Sequence, residues 1–305
     1  MPGFIFEICG RFEEERLMIL VTGASGTVGS EVLKQLVKKG ENVRALVRVE
    51  DHARKIRHTG AEIFAGDLEN PDDLVAPFEG VEKVFLSTPA HPNQLERERN
   101  AIEAAAKSSV KHIVKLSIMG ADPDASHRLG RIHGNVEKIV EASGIPWTHL
   151  RPHFHMQHLF LYARPIRNTG SFFAPMRNNR ISMVHVKDVA AVAAVVLTEK
   201  GYTYRAYEIT GPKAVTFGDF AAILSELTGE DIAYVDIPIG TAKGGLLESG
   251  ISEWYADALL EMFRSWSDGR AERITNTVAD ITGRWPTGLD KFLEENRDVF
   301  IADSI

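Results

Sequence analysis

Residues 18–48, MILVTGASGTVGSEVLKQLVKKGENVRALVR, read as a strand, a glycine turn, a helix and a returning strand. Met18-Ile-Leu-Val21 is a short apolar run suited to a buried parallel strand. Gly23, Gly26 and Gly29 follow it with two residues between each pair. In a nucleotide-binding turn the first glycine permits the tight bend, the second admits a pyrophosphate against the backbone, and the third lets the helix pack on the strand. Helix amides then face the phosphates, which makes Ser25, Thr27 and Val28 candidate contacts together with the three glycines. Val28, Val32, Leu33, Leu36 and Val37 fall at helical spacing, with Glu31, Lys34, Lys38 and Lys39 between them, so one face can pack on a sheet. Gly40 stops the helix, and Val43-Arg-Ala-Leu-Val47 begins the second strand of a βαβ unit.

The composition fits one large or two modest domains: 305 residues, of which 44% are hydrophobic, bury a substantial core. A net charge of -7 argues against a general nucleic-acid or acidic-membrane binder, whose footprint is basic. A single cysteine, Cys9, makes no internal disulfide and favours a reducing compartment, the cytoplasm. No stretch is long and apolar enough to span a bilayer, so no membrane insertion is expected. Residues 1–17 lack the features of a signal peptide and read as an upstream extension or a misplaced start, peripheral to the fold.

Strands and helices alternate beyond the first unit, the pattern of a doubly wound parallel sheet with helices on both faces. Strands are expected at 61–65, 84–86, 112–117 and 146–152, and helices at 71–78, 94–108 and 127–143. In such sheets the ligand lies outside the carboxyl ends of the strands. Asp67 and Leu68, then Ser87, Thr88 and Pro89, then Ser117, and the loop after Arg151 are therefore candidate contacts. The Rossmann-type domain is placed at 18–160 and a smaller α/β substrate lobe at 161–305, with some segments returning to the sheet. In that lobe strands are expected at 181–184, 207–210 and 232–237. Helices are expected from His185, at 217–228 with Thr216 as cap, at 253–266 and within 288–300. Asp188 is read as capping and anchoring the helix after His185, and Trp254, Trp266 and Trp285 as packing in the lobe.

Thr22-Gly-Ala-Ser-Gly-Thr-Val-Gly29, Ala45-Leu-Val-Arg48, Gly66-Asp-Leu68, Val110-Lys-His-Ile113, Ser143-Gly-Ile-Pro-Trp-Thr148, Leu150-Arg-Pro152 and Thr216-Phe217 together carry a resemblance. The chain resembles the NmrA-like, atypical branch of the short-chain dehydrogenases/reductases, and within it the type 2 quinone reductases and triphenylmethane reductases. The resemblance implies a Rossmann fold holding NAD(P)H, a substrate cleft between two lobes, and oxidoreductase activity. It also exposes a departure. Typical members carry Tyr-x-x-x-Lys before the sixth strand, whereas a register through Glu137 and Ser143-Gly144 puts Leu129 at the tyrosine position and His133 at the lysine position. Tyrosine acid catalysis is absent, and the resemblance makes His133 the candidate catalytic or ribose-holding residue.

Arg48 ends the second strand, where an arginine pairs with the 2′-phosphate of NADP and an acidic residue would serve NAD; this favours NADPH over NADH. Nearby Glu50 or Asp51 would serve NAD instead. The resemblance implies that the loop after Arg151-Pro152 borders nicotinamide and substrate, so Arg151, His153 and Phe154 are assigned to the cofactor and His155 to the substrate; His91, just past the fourth strand, is placed at the substrate mouth. His149, His153, His155 and His158 lack a partner set of metal-ligand spacing, so no metal is expected. The expected activity is hydride transfer from NADPH to a quinone or another flat conjugated acceptor, in a chain that could pair as a homodimer. The alternative is an NADP(H)-binding redox sensor without turnover, acting on a regulatory protein partner.

Overall fold

The computed structural model describes residues 17–266, 269 and 271–301. Residues 1–16 of the expected peripheral extension, Cys9 among them, lie outside the described residues. The first half runs β1 (Met18–Thr22), α1 (Thr27–Lys38), β2 (Asn42–Val47), α2 (Glu50–Ile56), β3 (Glu62–Ala65), α3 (Val75–Phe78), β4 (Lys83–Leu86), α4 (Gln94–Ala106), β5 (His112–Leu116), α5 (Arg128–Ala142) and β6 (Trp147–Pro152). The second half runs α6 (Ala163–Thr169), β7 (Ser171–Ala174), α7 (Val186–Thr198), β8 (Arg205–Ile209), α8 (Phe217–Thr228), β9 (Ala233–Asp236), α9 (Ala242–Glu248), α10 (Glu253–Ser265), α11 (Thr277–Thr282) and α12 (Leu289–Asn296).

Seven strands form one parallel sheet in the order β3-β2-β1-β4-β5-β6-β8, and β7 and β9 pair separately in parallel. Ile19, Leu20 and Val21 of β1 are buried because helices cover both faces. Val28, Val32, Leu33 and Leu36 of α1 pack with α7 on one face, whereas α4 and α5 cover the other. The run Val186–Thr198 is buried on nearly every side, so α7 is apolar all round rather than amphipathic. Beyond the sheet a second core gathers Tyr162, Phe172, Phe217, Phe220, Phe292 and Phe300 in tilted and edge-to-face contacts. No helix among the described residues is long and apolar enough to cross a membrane.

Three expectations are corrected. Residues 181–184 form no strand: Ile181 and Val184 make isolated bridges to Val215 and His155, because each end of this short run meets a different neighbour. The α7 cap is His185, whose Nδ1 accepts from the Lys187 amide, while Asp188 accepts from the amide and hydroxyl of Thr287 and so anchors the loop before α12. Trp285 is 79% exposed and packs in no core, whereas Trp266 is buried against His153, Phe154 and Phe263.

Candidate functional site

The sheet order reverses between β1 and β4, which opens a crevice above their carboxyl ends. Thr22 clasps the two strands there, its hydroxyl donating to the Ser87 carbonyl (2.9 Å) and accepting from the Ser87 amide (2.8 Å). Gly23 follows with φ +60°, and a Cβ on it would stand 2.7 Å from the Ser87 carbonyl oxygen, so both backbone and space demand glycine. A Cβ on Gly29 would stand 2.2 Å from the Gly23 carbonyl oxygen, which holds the start of α1 against the turn. Gly26 is the N-cap of α1 and places no side chain on the first-turn amides, leaving them for an anion.

The crevice is a cleft of about 500 Å³, within the range of ligand sites. The whole turn from Gly23 to Gly29 except Ala24 lines it, as do Arg48, Asp67, Leu68, Ser87, Thr88, Pro89 and His155. Two residues that the sequence reading missed join Arg48: the imidazole of His52 and the ammonium of Lys55, from the helix that follows β2. Their signal was present, since positions 52 and 55 lie on one face of any helix starting near 50. This cationic end and the bare amides of α1 fit a dinucleotide carrying an additional phosphate.

The other expected site residues lie outside the cleft lining. Leu116 lines the cleft where Ser117 was expected; Ser117 is buried. Arg151 turns its fork onto Glu137 of α5, at 2.9 and 2.5 Å. His153 accepts the Phe154 amide on Nδ1 and tilts on Trp266, while Phe154 stacks on His158 and meets Phe263 edge-on. His91 accepts the Asn93 amide on Nδ1 in the turn before α4. His155 reaches the cleft as a neutral ring, because burial and its neighbouring histidines push it down to about 3, and its Nε2 has no partner.

His133 belongs to a buried network behind the cleft wall. Its Nδ1 faces the Lys115 ammonium at 3.2 Å and its Nε2 faces the Gln94 amide nitrogen at 3.4 Å. Burial, reinforced by the Lys115 charge, keeps this imidazole neutral, well below the ordinary histidine range. Lys115 lies 2.9 Å from Oε2 of Glu98, and neither side chain is exposed; the ammonium sits off the ideal hydrogen-bond direction, so Oε2 is ion-paired without an aligned hydrogen bond. Oε1 of Glu98 accepts from Gln94 (2.9 Å) and from the Thr88 hydroxyl (2.5 Å), which ties the network to the cleft. The sequence signal was a lysine inside the apolar strand His112-Ile-Val-Lys-Leu116, which requires a buried partner.

The chain is 38% identical over 285 residues to the NAD(P)H azoreductase of Xenophilus azovorans, covering 93% of this chain and 100% of that protein. Its fold is similar to that of the NADPH-dependent quinone oxidoreductase of Escherichia coli complexed with NADPH, with TM-score 0.83, 26% identity and coverage of 92% and 99% of the two chains. The Citrobacter sp. triphenylmethane reductase complexed with NADP(H) superposes with TM-score 0.82, 26% identity and coverage of 91% and 99%. The NmrA-like family matches residues 15–293, and the chain belongs to that family.

Proposed function

We propose that the protein is an NADPH-dependent oxidoreductase that passes hydride to a quinone or a similarly flat conjugated acceptor. The observation that carries this reading is one cleft joining the bare glycine turn to the cations Arg48 and Lys55, with His52 beside them, at one end and to His155 at the other. When bound, the cofactor supplies the hydride. The chain's part is to hold the pyrophosphate on the amides of α1, to pair Arg48, His52 and Lys55 with the 2′-phosphate, and to keep water from the reacting face with Leu116 and Pro89. His155 lines the cleft beside the acceptor's place as a neutral ring, with its Nε2 buried. A conjugated acceptor spreads the charge that hydride brings, so tyrosine acid catalysis is not required.

The reductase names of the relatives support this reading. A second reading, a redox sensor that binds NADP(H) and regulates a protein partner, is favoured by the missing tyrosine and by the enclosure of His133. The deciding experiment follows NADPH oxidation with a panel of quinones, azo dyes and triphenylmethane dyes beside a direct NADPH titration. Turnover of at least one acceptor is expected. Binding without turnover across the panel would select the sensor.

A further inference from the structure

We propose that the Thr88 hydroxyl, oriented by the Glu98 carboxylate, accepts a hydrogen bond from the nicotinamide ribose, with Glu98 as its positioning residue. This rests on the nucleotide-binding reading above. In typical short-chain reductases the lysine of Tyr-x-x-x-Lys holds that ribose. Here Leu129 is buried in the small-lobe core and His133 faces Gln94 and Lys115, so these positions of α5 offer no anchor. The anchor has to come from another element.

The sheet order indicates which one. With the pyrophosphate on the turn after β1, the nicotinamide half extends over the ends of β4 and β5, on the far side of the point where the order reverses. Thr88 stands just past β4 and lines the cleft. Its one hydroxyl proton is committed to Oε1 of Glu98 at 2.5 Å, so it has only lone pairs left to offer a ligand. An ionised acceptor behind the hydroxyl makes that oxygen a stronger acceptor in turn. The carboxylate cannot swing away, because Gln94 bonds the same oxygen and the wholly buried Lys115 is paired with the other. A ribose hydroxyl acting as donor matches this polarity.

Calorimetric titration with two ligands tests the assignment: NADPH, and adenosine 2′,5′-bisphosphate, which keeps the adenosine end and lacks the nicotinamide ribose. Thr88→Val is expected to weaken NADPH by about tenfold, Thr88→Ser by no more than about threefold because it keeps the hydroxyl, and neither should alter the bisphosphate. Glu98→Gln should show the Thr88→Val pattern, since an amide cannot receive all three donors. Thr88→Val leaves the buried ion pair intact, so it reports even if Glu98→Gln does not fold. Wild-type NADPH affinity in Thr88→Val, or equal loss for both ligands, overturns the assignment. A wild-type protein that binds neither ligand overturns the nucleotide reading, and this proposal with it.

Discussion

The Lys115 ammonium and the Glu98 carboxylate stand 2.9 Å apart with neither side chain exposed, a paired charge sealed between β5 and α4. Removing one partner leaves the other charged and desolvated, so Lys115→Met or Glu98→Gln should cost about 3–5 kcal/mol of stability. The double variant Lys115→Met with Glu98→Leu should recover most of it. Urea unfolding midpoints of the three variants check this, and a double variant as unstable as the sum of the singles would refute it.

Gly26→Val and Gly29→Ala should fail in different ways. Gly26 has an ordinary backbone, and a Cβ there meets only the Gly23 carbonyl oxygen at 3.2 Å, so the variant is expected to fold. Its branched side chain occupies the pyrophosphate's place and should abolish NADPH binding. A Cβ on Gly29 lies 2.2 Å from backbone, so even alanine should destabilise the fold by about 1–3 kcal/mol. Calorimetry on the first and thermal unfolding on the second distinguish the two; NADPH bound at wild-type affinity by Gly26→Val would dismiss this turn.

Arg48→Ala should weaken NADPH by about ten- to a hundredfold, the worth of one charged hydrogen bond, and leave NADH little changed. Lys55→Ala should act in the same direction, because its ammonium shares the cleft. The measurement is the ratio of NADPH to NADH dissociation constants. Equal losses for both cofactors would make Arg48 structural.

Acid should unfold the protein sooner than its carboxylates alone require. Burial pushes His112, His153 and His158 down to about 4 and His155 to about 3, against 6.5 for a free imidazole. Below pH 6.5 the unfolded chain takes up protons that the folded chain refuses, so stability falls as pH falls. Each such imidazole adds up to about 1.4 kcal/mol per pH unit. Urea midpoints from pH 7.5 to 5.5 should decline steadily; a flat profile would mean that these rings titrate normally when folded.

The sequence by itself determined the alternating fold and the glycine turn, because both are local. A strand, a glycine spacing and an amphipathic helix are written within the 31 residues from Met18 to Arg48. Strand ends likewise put Ser87 and Thr88 at the crevice, whose lining they join. Which side chains occupy the cleft was a tertiary decision. Arg151 and His133 stand at family positions, yet Glu137 takes the guanidinium and Lys115 the imidazole, contacts that join residues 14 and 18 positions apart across helix and strand. Periodicity also could not separate residues 181–184 from a strand, since an isolated bridge and a ladder share the same apolar pattern. Burying a charge commits it to the nearest counter-charge, and only the packed chain sets which one is nearest.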